Sequence, residues 1–205
     1  MNERRTSYIR LFHASPGAPA VDVYANGETL LGEGLEFGEF TPYIPVRPGE
    51  YEIDVVLSDN PEQIVLSTVL DVPEREIYTV AVIGTVPDLE AFVIEDPVQR
   101  IPNSRLGLRF VHLSPNAPSV DIALPTGDII FQDVAYKDIP DYLYVEPDTY
   151  SIQVFPTGTE DLVLQVPNMK LKKDRFYTVY AIGLVDDEPP LQVVIPLDGN
   201  SYINL

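Results

Sequence analysis

The sequence predicts an all-β fold, two tandem antiparallel β-sandwich domains with little helix, immunoglobulin-like or transthyretin-like in type. Three observations carry that expectation. Apolar residues alternate at period two, as in Tyr51-Glu-Ile-Asp-Val55 and Tyr150-Ser-Ile-Gln-Val154, which puts every second side chain on one face. Strand-like stretches rich in Val, Ile, Tyr and Phe are punctuated by Pro and Gly, and the 20 prolines would interrupt helices repeatedly. Finally, the chain repeats itself. Arg10-Leu-Phe-His-Ala-Ser-Pro-Gly-Ala-Pro-Ala-Val-Asp-Val23 lies over Arg109-Phe-Val-His-Leu-Ser-Pro-Asn-Ala-Pro-Ser-Val-Asp-Ile122, with 8 of 14 positions identical at an offset of 99.

The same offset aligns Tyr78-Thr-Val-Ala-Val-Ile-Gly84 with Tyr177-Thr-Val-Tyr-Ala-Ile-Gly183, and Pro42-Tyr-Ile-Pro-Val-Arg-Pro-Gly-Glu-Tyr51 with Asp141-Tyr-Leu-Tyr-Val-Glu-Pro-Asp-Thr-Tyr150. One offset over three separated blocks means duplication of a domain-sized unit, longer than any solenoid repeat. The expected domains are residues 1–98 and 99–205, joined by a short stretch containing Pro97 and Pro102. In the first unit the pattern places strands at 7–13, 20–25, 28–31, 40–46, 50–57, 64–70, 76–84 and 90–95. Tyr51 and Tyr150 each follow a turn, Pro48-Gly49-Glu50 and Pro147-Asp148-Thr149, whose prolines preset the first dihedral.

Composition narrows the function. A formal charge of −19, from 32 acidic and 13 basic side chains, opposes binding to nucleic acid and to anionic membrane surfaces, which recruit Lys and Arg. Cysteine is absent, so disulfides, thiolate nucleophiles and Cys-type zinc sites are excluded. No apolar run approaches the roughly 20 residues of a membrane-spanning helix, and the N-terminus lacks the apolar stretch of a secretion signal. The sequence as it stands therefore reads as cytoplasmic, with a cell or spore surface as the alternative location. All four lysines, Lys137, Lys170, Lys172 and Lys173, fall in the second unit, so an isopeptide lock present in both units is excluded.

The repeated block His-x-Ser-Pro-x-Ala-Pro-x-Val-Asp, residues 13–22 and 112–121, resembles the signature of the bacterial family known as domain of unknown function 4397. The resemblance covers nearly the whole chain, once per unit, and extends to the Pro-Gly-x-Tyr turn at residues 48–51 and the Tyr-Thr-Val strand. It implies a β-sandwich module, often tandem and often outside the cytoplasm, with no established activity, so no catalytic assignment carries over.

The motif residues are His13, Ser15, Pro16, Pro19 and Asp22, with His112, Ser114, Pro115, Pro118 and Asp121 in the second unit. His, Ser and Asp are the residue types of a hydrolase triad. Yet Ser15 precedes a proline in a tight turn, and neither a Gly-x-Ser-x-Gly elbow nor an oxyanion loop is present. The expected role is structural: Asp and Ser side chains bonding to the backbone of the Ser-Pro-x-Ala-Pro loop, whose prolines cannot donate. One His and one Asp per unit are too few to ligate zinc, and the acidic loops Asp59-Asn60-Glu62 and Asp186-Asp187-Glu188 lack EF-hand spacing. No catalytic residue, metal or cofactor is assigned. Tyr24, Tyr136, Tyr144 and Tyr180 have no tyrosine counterpart across the repeat, which makes them candidates for a binding surface. A non-enzymatic structural or interaction module follows, with a protein partner or a second copy as its target; a sandwich binding a glycan or protein ligand is the first alternative, and a hydrolase using the His-x-Ser-Pro motif the last.

Overall fold

The computed structural model describes residues 6–205, and they are all-β. The strands are β1 (Ser7–His13), β2 (Val21–Ala25), β3 (Thr29–Leu35), β4 (Ile44–Val46), β5 (Gly49–Leu57), β6 (Asn60–Val72), β7 (Ile77–Thr85) and β8 (Asp88–Glu95). The series continues with β9 (Leu106–His112), β10 (Val120–Ala123), β11 (Ile129–Val134), β12 (Leu143–Val145), β13 (Thr149–Pro156), β14 (Leu164–Lys170), β15 (Phe176–Ile182) and β16 (Gln192–Val194). Among the described residues a 3-10 turn spans Gly199–Ser201.

Four four-stranded sheets result, ordered β4-β1-β7-β8 and β3-β2-β5-β6, then β12-β9-β15-β16 and β11-β10-β13-β14. Strand for strand, the second pair repeats the first. Two compact units emerge, Met1–Val98 with Tyr202–Leu205, and Gln99–Ser201. The last four residues thus belong to the first unit, where the expectation placed them in the second. Tyr202 makes the reason visible: its ring sits 6.2 Å edge-on to Tyr43.

Each unit is a sandwich with one core. In the first, Ile9, Leu11, Val80 and Val82 of one sheet meet Val21, Val23, Ile53 and Val55 of the other. In the second, Leu106, Leu108, Phe110 and Val179 meet Val120, Ile122, Ile152 and Val154. Each such side chain contributes roughly 1.5–3 kcal/mol on burial, and a cysteine-free chain relies on that packing.

The strands depart from the expected bounds in two instructive places. β6 begins four residues earlier than its apolar stretch, because the β5–β6 hairpin resumes pairing at Leu57–Asn60 after a register shift beyond Val56–Ile64. Pro61 is tolerated there because β6 lies at a sheet edge. β4 is only three residues long, since Thr41 bonds β1 as an irregular crossing instead, through Thr41 N–H to Leu11 O at 3.0 Å and Leu11 N–H to Thr41 Oγ1 at 2.8 Å. The sheets are also not purely antiparallel: β1 pairs β7, and β9 pairs β15, in parallel. Parallel neighbours need a long crossover, and the whole second sheet of each unit is that crossover. The post-turn tyrosines Tyr51 and Tyr150 bond back to the carbonyls of Arg47 and Glu146 at 2.8 and 2.7 Å, locking each turn against its strand.

Gly84 and Gly183, which close the Tyr-Thr-Val strands, are demanded by geometry. Their φ angles are +84° and +91°, and a Cβ would stand 2.3 Å from the Asp88 carbonyl oxygen or 2.2 Å from that of Pro190. Gly84→Ala and Gly183→Ala are each expected to destabilise their unit by about 1–3 kcal/mol from overpacking. Left-handed backbone strain adds roughly 1–2 kcal/mol. Urea melts of the two variants check this, against Gly158→Ala, whose Cβ meets nothing within 4 Å.

Candidate functional site

The repeated motif forms the corner at which the chain leaves one sheet for the other. In the first unit β1 ends at His13, residues 14–20 cross over, and β2 begins at Val21. Two prolines make this crossing stiff but remove backbone donors, so its fastening falls to side chains. His13 Nε2 lies 3.0 Å from the Pro19 carbonyl, and His112 Nε2 lies 3.1 Å from that of Pro118. A carbonyl only accepts, so Nε2 carries the proton in both rings. In His112 the other nitrogen, Nδ1, accepts from Ser114 N–H at 3.2 Å.

The remaining motif side chains reach further than the sequence suggested. Ser15 Oγ donates to the Gly84 carbonyl at 2.8 Å, and Ser114 Oγ to that of Gly183 at 2.7 Å, tying the corner to the end of the parallel neighbour strand. Asp22 Oδ1 accepts from Gly34 N–H at 2.7 Å and Ser58 Oγ at 2.6 Å. Its counterpart Asp121 accepts from Asp133 N–H at 2.8 Å and Gly158 N–H at 3.3 Å. The ladder slips beside these aspartates, between Val21 and Val23 and between Val120 and Ile122, and each carboxylate satisfies an N–H that the bulge releases. The expectation that Asp and Ser bond to the Ser-Pro-x-Ala-Pro backbone is therefore corrected. Of the three, only His bonds the loop's own backbone, while Ser and Asp bind the corner to strands on either side; in the second unit Asn116 adds a two-way bond to the backbone of Val185, at 3.0 and 2.9 Å.

This wiring dismantles the hydrolase alternative. Serine Oγ spends its proton on a carbonyl, the imidazole spends its own on a proline carbonyl, and the aspartate faces a different loop. Pro16 is buried behind Ser15, Pro115 is half-buried, and Pro19 and Pro118 are exposed at the corner's tip. Among the described residues no group of three or more His, Asp or Glu is placed to hold a metal ion.

A second buried assembly escaped the sequence reading. Arg10 and Arg109 sit in the middle of apolar strands at 3% and 2% exposure. Arg109 Nε–H donates to Thr178 Oγ1 at 2.7 Å, Thr178 Oγ1 donates to Asp198 Oδ2 at 2.6 Å, and Tyr142 Oη donates to the same oxygen at 2.8 Å. The guanidinium also lies over the Tyr142 ring, 4.5 Å from its centre. The first unit repeats the pattern: Arg10 Nε–H to Thr79 at 2.8 Å, Tyr43 Oη to Asp96, and the guanidinium 4.8 Å from the rings of both Phe40 and Tyr43. Phe40 in turn stacks on Phe12 at 3.9 Å. The available signal was a charged residue inside a strand, recurring at the repeat offset. Asp96 and Asp198 gave none, because they stand 102 apart instead of 99.

Of the four unmatched tyrosines, Tyr180 is corrected outright: it is fully buried, because β15 runs between β9 and β16. Tyr24, Tyr136 and Tyr144 are half-buried. Tyr136 lies edge-on to His112 at 6.3 Å, and Tyr144 edge-on to Phe176 at 6.4 Å. Where Tyr24 stands in the first unit, the second has Ala123, and there an open groove of about 360 Å³ runs beside Gln153, Phe155 and Glu160.

Burial holds both imidazoles below their ordinary pKa of 6.5, against the raising effect of the proline carbonyls and, more weakly, Glu39 or Asp138. Unfolding releases them to titrate near 6.5, so below that pH the unfolded chain binds more protons. Stability is therefore expected to fall as pH drops from about 7 through 6.5 toward the lowered folded-state value. Urea melts of wild type and of the His13→Gln/His112→Gln double variant at pH 7 and 5.5 measure this, and the double variant should lose much of the slope. Asp198→Asn is expected to cost about 3–5 kcal/mol, since it removes one charge from a buried ionic network and strands the other. Denaturant titration of that variant gives the figure.

Comparison with known proteins returns no match among curated sequences. Among solved structures the chain is similar to a family 26 carbohydrate-binding module from Eubacterium rectale Amy13K in complex with maltoheptaose, at 9% identity and TM-score 0.30, covering 95% of this chain and 99% of that one. It is similar also to the protein of a structure described as α-glucan binding by a streptococcal virulence factor, at 10% identity and TM-score 0.27, covering 97% and 99%. A third likeness is to a cell adhesion protein, so described, from Parabacteroides distasonis, at 9% identity and TM-score 0.22, covering 95% and 99%. Residues 7–123, more than half the chain and inclusive of both histidine corners, match the family model for domain of unknown function DUF4397, and the chain belongs to that family.

Proposed function

We propose that this protein is a non-enzymatic interaction module that associates through the edge of its first sandwich, with a second copy of itself as partner. One observation carries the reading: β6 is an open edge. The four sheets have eight edge strands. Three of them, β4, β12 and β16, are three residues long. β3 and β11 are broken by bulges, and β8 is flanked by Asp88, Glu90 and Glu95. β14 contains Pro167 and ends at Lys170. Each is a device that discourages strand addition. β6 runs for 13 residues; its ladder with β5 slips at Ile64 and again at Asn60 but is regular from Leu66 to Val72, and the stretch Ile-Val-Leu-Ser-Thr-Val-Leu at 64–70 has no charge and no proline. Ile64 and Val69 stand 56% and 61% exposed.

A second copy fits this edge by its own symmetry. A two-fold centred on Thr68 sets Ser67 beside Val69 and Leu66 beside Leu70, positions that share a face at period two. It also sets Asp71 opposite Val65, keeping acid off acid. Main-chain hydrogen bonds supply the affinity in such pairing. We propose the cell or spore surface as the setting, and fractionation that finds the protein wholly in the cytosol of intact cells would sink that part.

A second reading, a sugar-binding module, is favoured by the groove of the second unit. Phe155 offers an aromatic wall there, with the Gln153 amide and Glu160 carboxylate as hydroxyl partners. Ala123→Tyr, which installs the first unit's residue, should abolish binding detected on a glycan array if this reading holds.

Light scattering on size-exclusion fractions over a hundredfold concentration range tests the leading proposal. The expected result is a concentration-dependent dimer that strengthens with salt, because each copy carries a charge of −19 whose mutual repulsion is screened. Ile64→Glu/Val69→Glu should remain monomeric throughout with an unchanged melting profile. A wild-type monomer at every concentration and salt would overturn self-association and shift weight to the groove.

A further inference from the structure

Between the two sheets of the second unit, at the end bounded by the His112 corner, lies a partly enclosed cavity of about 150 Å³, which opens past Val163, Val185 and Leu191. Its wall is wholly apolar and comes from both sheets, with Val154, Pro156 and Leu164 on one side and Ala181 and Leu191 on the other. The His112 ring completes it without offering a polar atom. Its Nε2–H is spent on Pro118 O and its Nδ1 on Ser114 N–H. Water in a cavity needs two to four polar partners, and this wall has none to give. A charged guest is excluded for the same reason, since its desolvation would go uncompensated.

The cavity has an identifiable origin in the divergence of the repeats. Ala181 pairs with His112 as Val82 pairs with His13, and Pro156 pairs with Val120 as Leu57 pairs with Val21. The second unit thus carries smaller residues at two positions that converge on one space. Small side chains alone would merely weaken a core. Here they combine with a wholly apolar wall around a volume that suits a single small ring.

We propose that this cavity is a binding site for a small uncharged apolar molecule, about the size of a benzene ring. The site is separate from the β6 edge and from the Phe155 groove, so its fate is independent of both readings above.

Benzene is the first probe, added to the full chain labelled at its methyl carbons. It should shift the methyls of Val154, Leu164 and Leu191 and raise the melting temperature, while benzoate, the same ring with a charge, should do neither. Ala181→Val restores the residue of the first unit and should weaken benzene binding at least tenfold. Pro156→Leu serves the same purpose should the first variant fold poorly. Methyls unmoved by benzene, undiminished binding to both variants, or benzoate acting as strongly as benzene would each overturn the site.

Discussion

Everything in each sandwich depends on how the chain gets from the end of its first strand to the start of its second. A stretch stiffened by two prolines must turn there from one sheet to the other, with few backbone donors to hold it. Three side chains common to both units fasten it. The imidazole grips the far end of the crossing, the serine hydroxyl joins its near end to Gly84 or Gly183, and the aspartate fills a break in the opposite sheet. Once the corner is set, β1 and β7 can lie parallel, and the intervening sheet is forced to fold over them. The most enzyme-like residues of the sequence are thus occupied in holding the architecture, and their recurrence follows from there being two corners.

Behind the same sheet each unit holds a guanidinium, a threonine, a tyrosine and a carboxylate in a shared network. Such networks add little net stability compared with apolar packing, but losing one member is costly. Away from these shared features the units have drifted apart. Ala123 stands for Tyr24, Ala181 for Val82 and Phe155 for Val56, and the corresponding edge strand is 13 residues long in one unit and 7, with Pro167 inside it, in the other. The corner and network are common to both units, whereas the surfaces and voids are particular to each.

How much of this was legible depended on range. Period-two alternation marked β5, because a half-buried strand writes its two faces into the sequence, whereas β1 and β7, buried on both faces, were marked by their runs of Val, Ile, Tyr and Phe. Duplication marked the unit size and singled out the motif, since an offset of 99 is a long-range fact readable in one dimension. The partners of the motif were not legible: Ser15 bonds a residue 69 positions away and Asp22 one 36 away, and no local pattern encodes either distance. Tyr180 misled for the opposite reason. Its lack of a tyrosine counterpart suggested a surface role, whereas its place in a strand flanked on both sides put it in the interior. Arg10 and Arg109 were visible as oddities within apolar strands, but their carboxylate partners slipped out of register through a three-residue difference between repeats.

The unequal treatment of the eight sheet edges has a consequence for stoichiometry. An object with a single adhesive rim has a valence of one: when two such rims meet, each consumes the other, and no growing end remains. Had both copies of the edge been left open, the duplicated chain would have been divalent, with every reason to polymerise. Duplication ordinarily doubles the number of handles; on the proposed association through β6, Pro167 and the lysines that follow it take one away. A molecule of that kind ties two things together and stops.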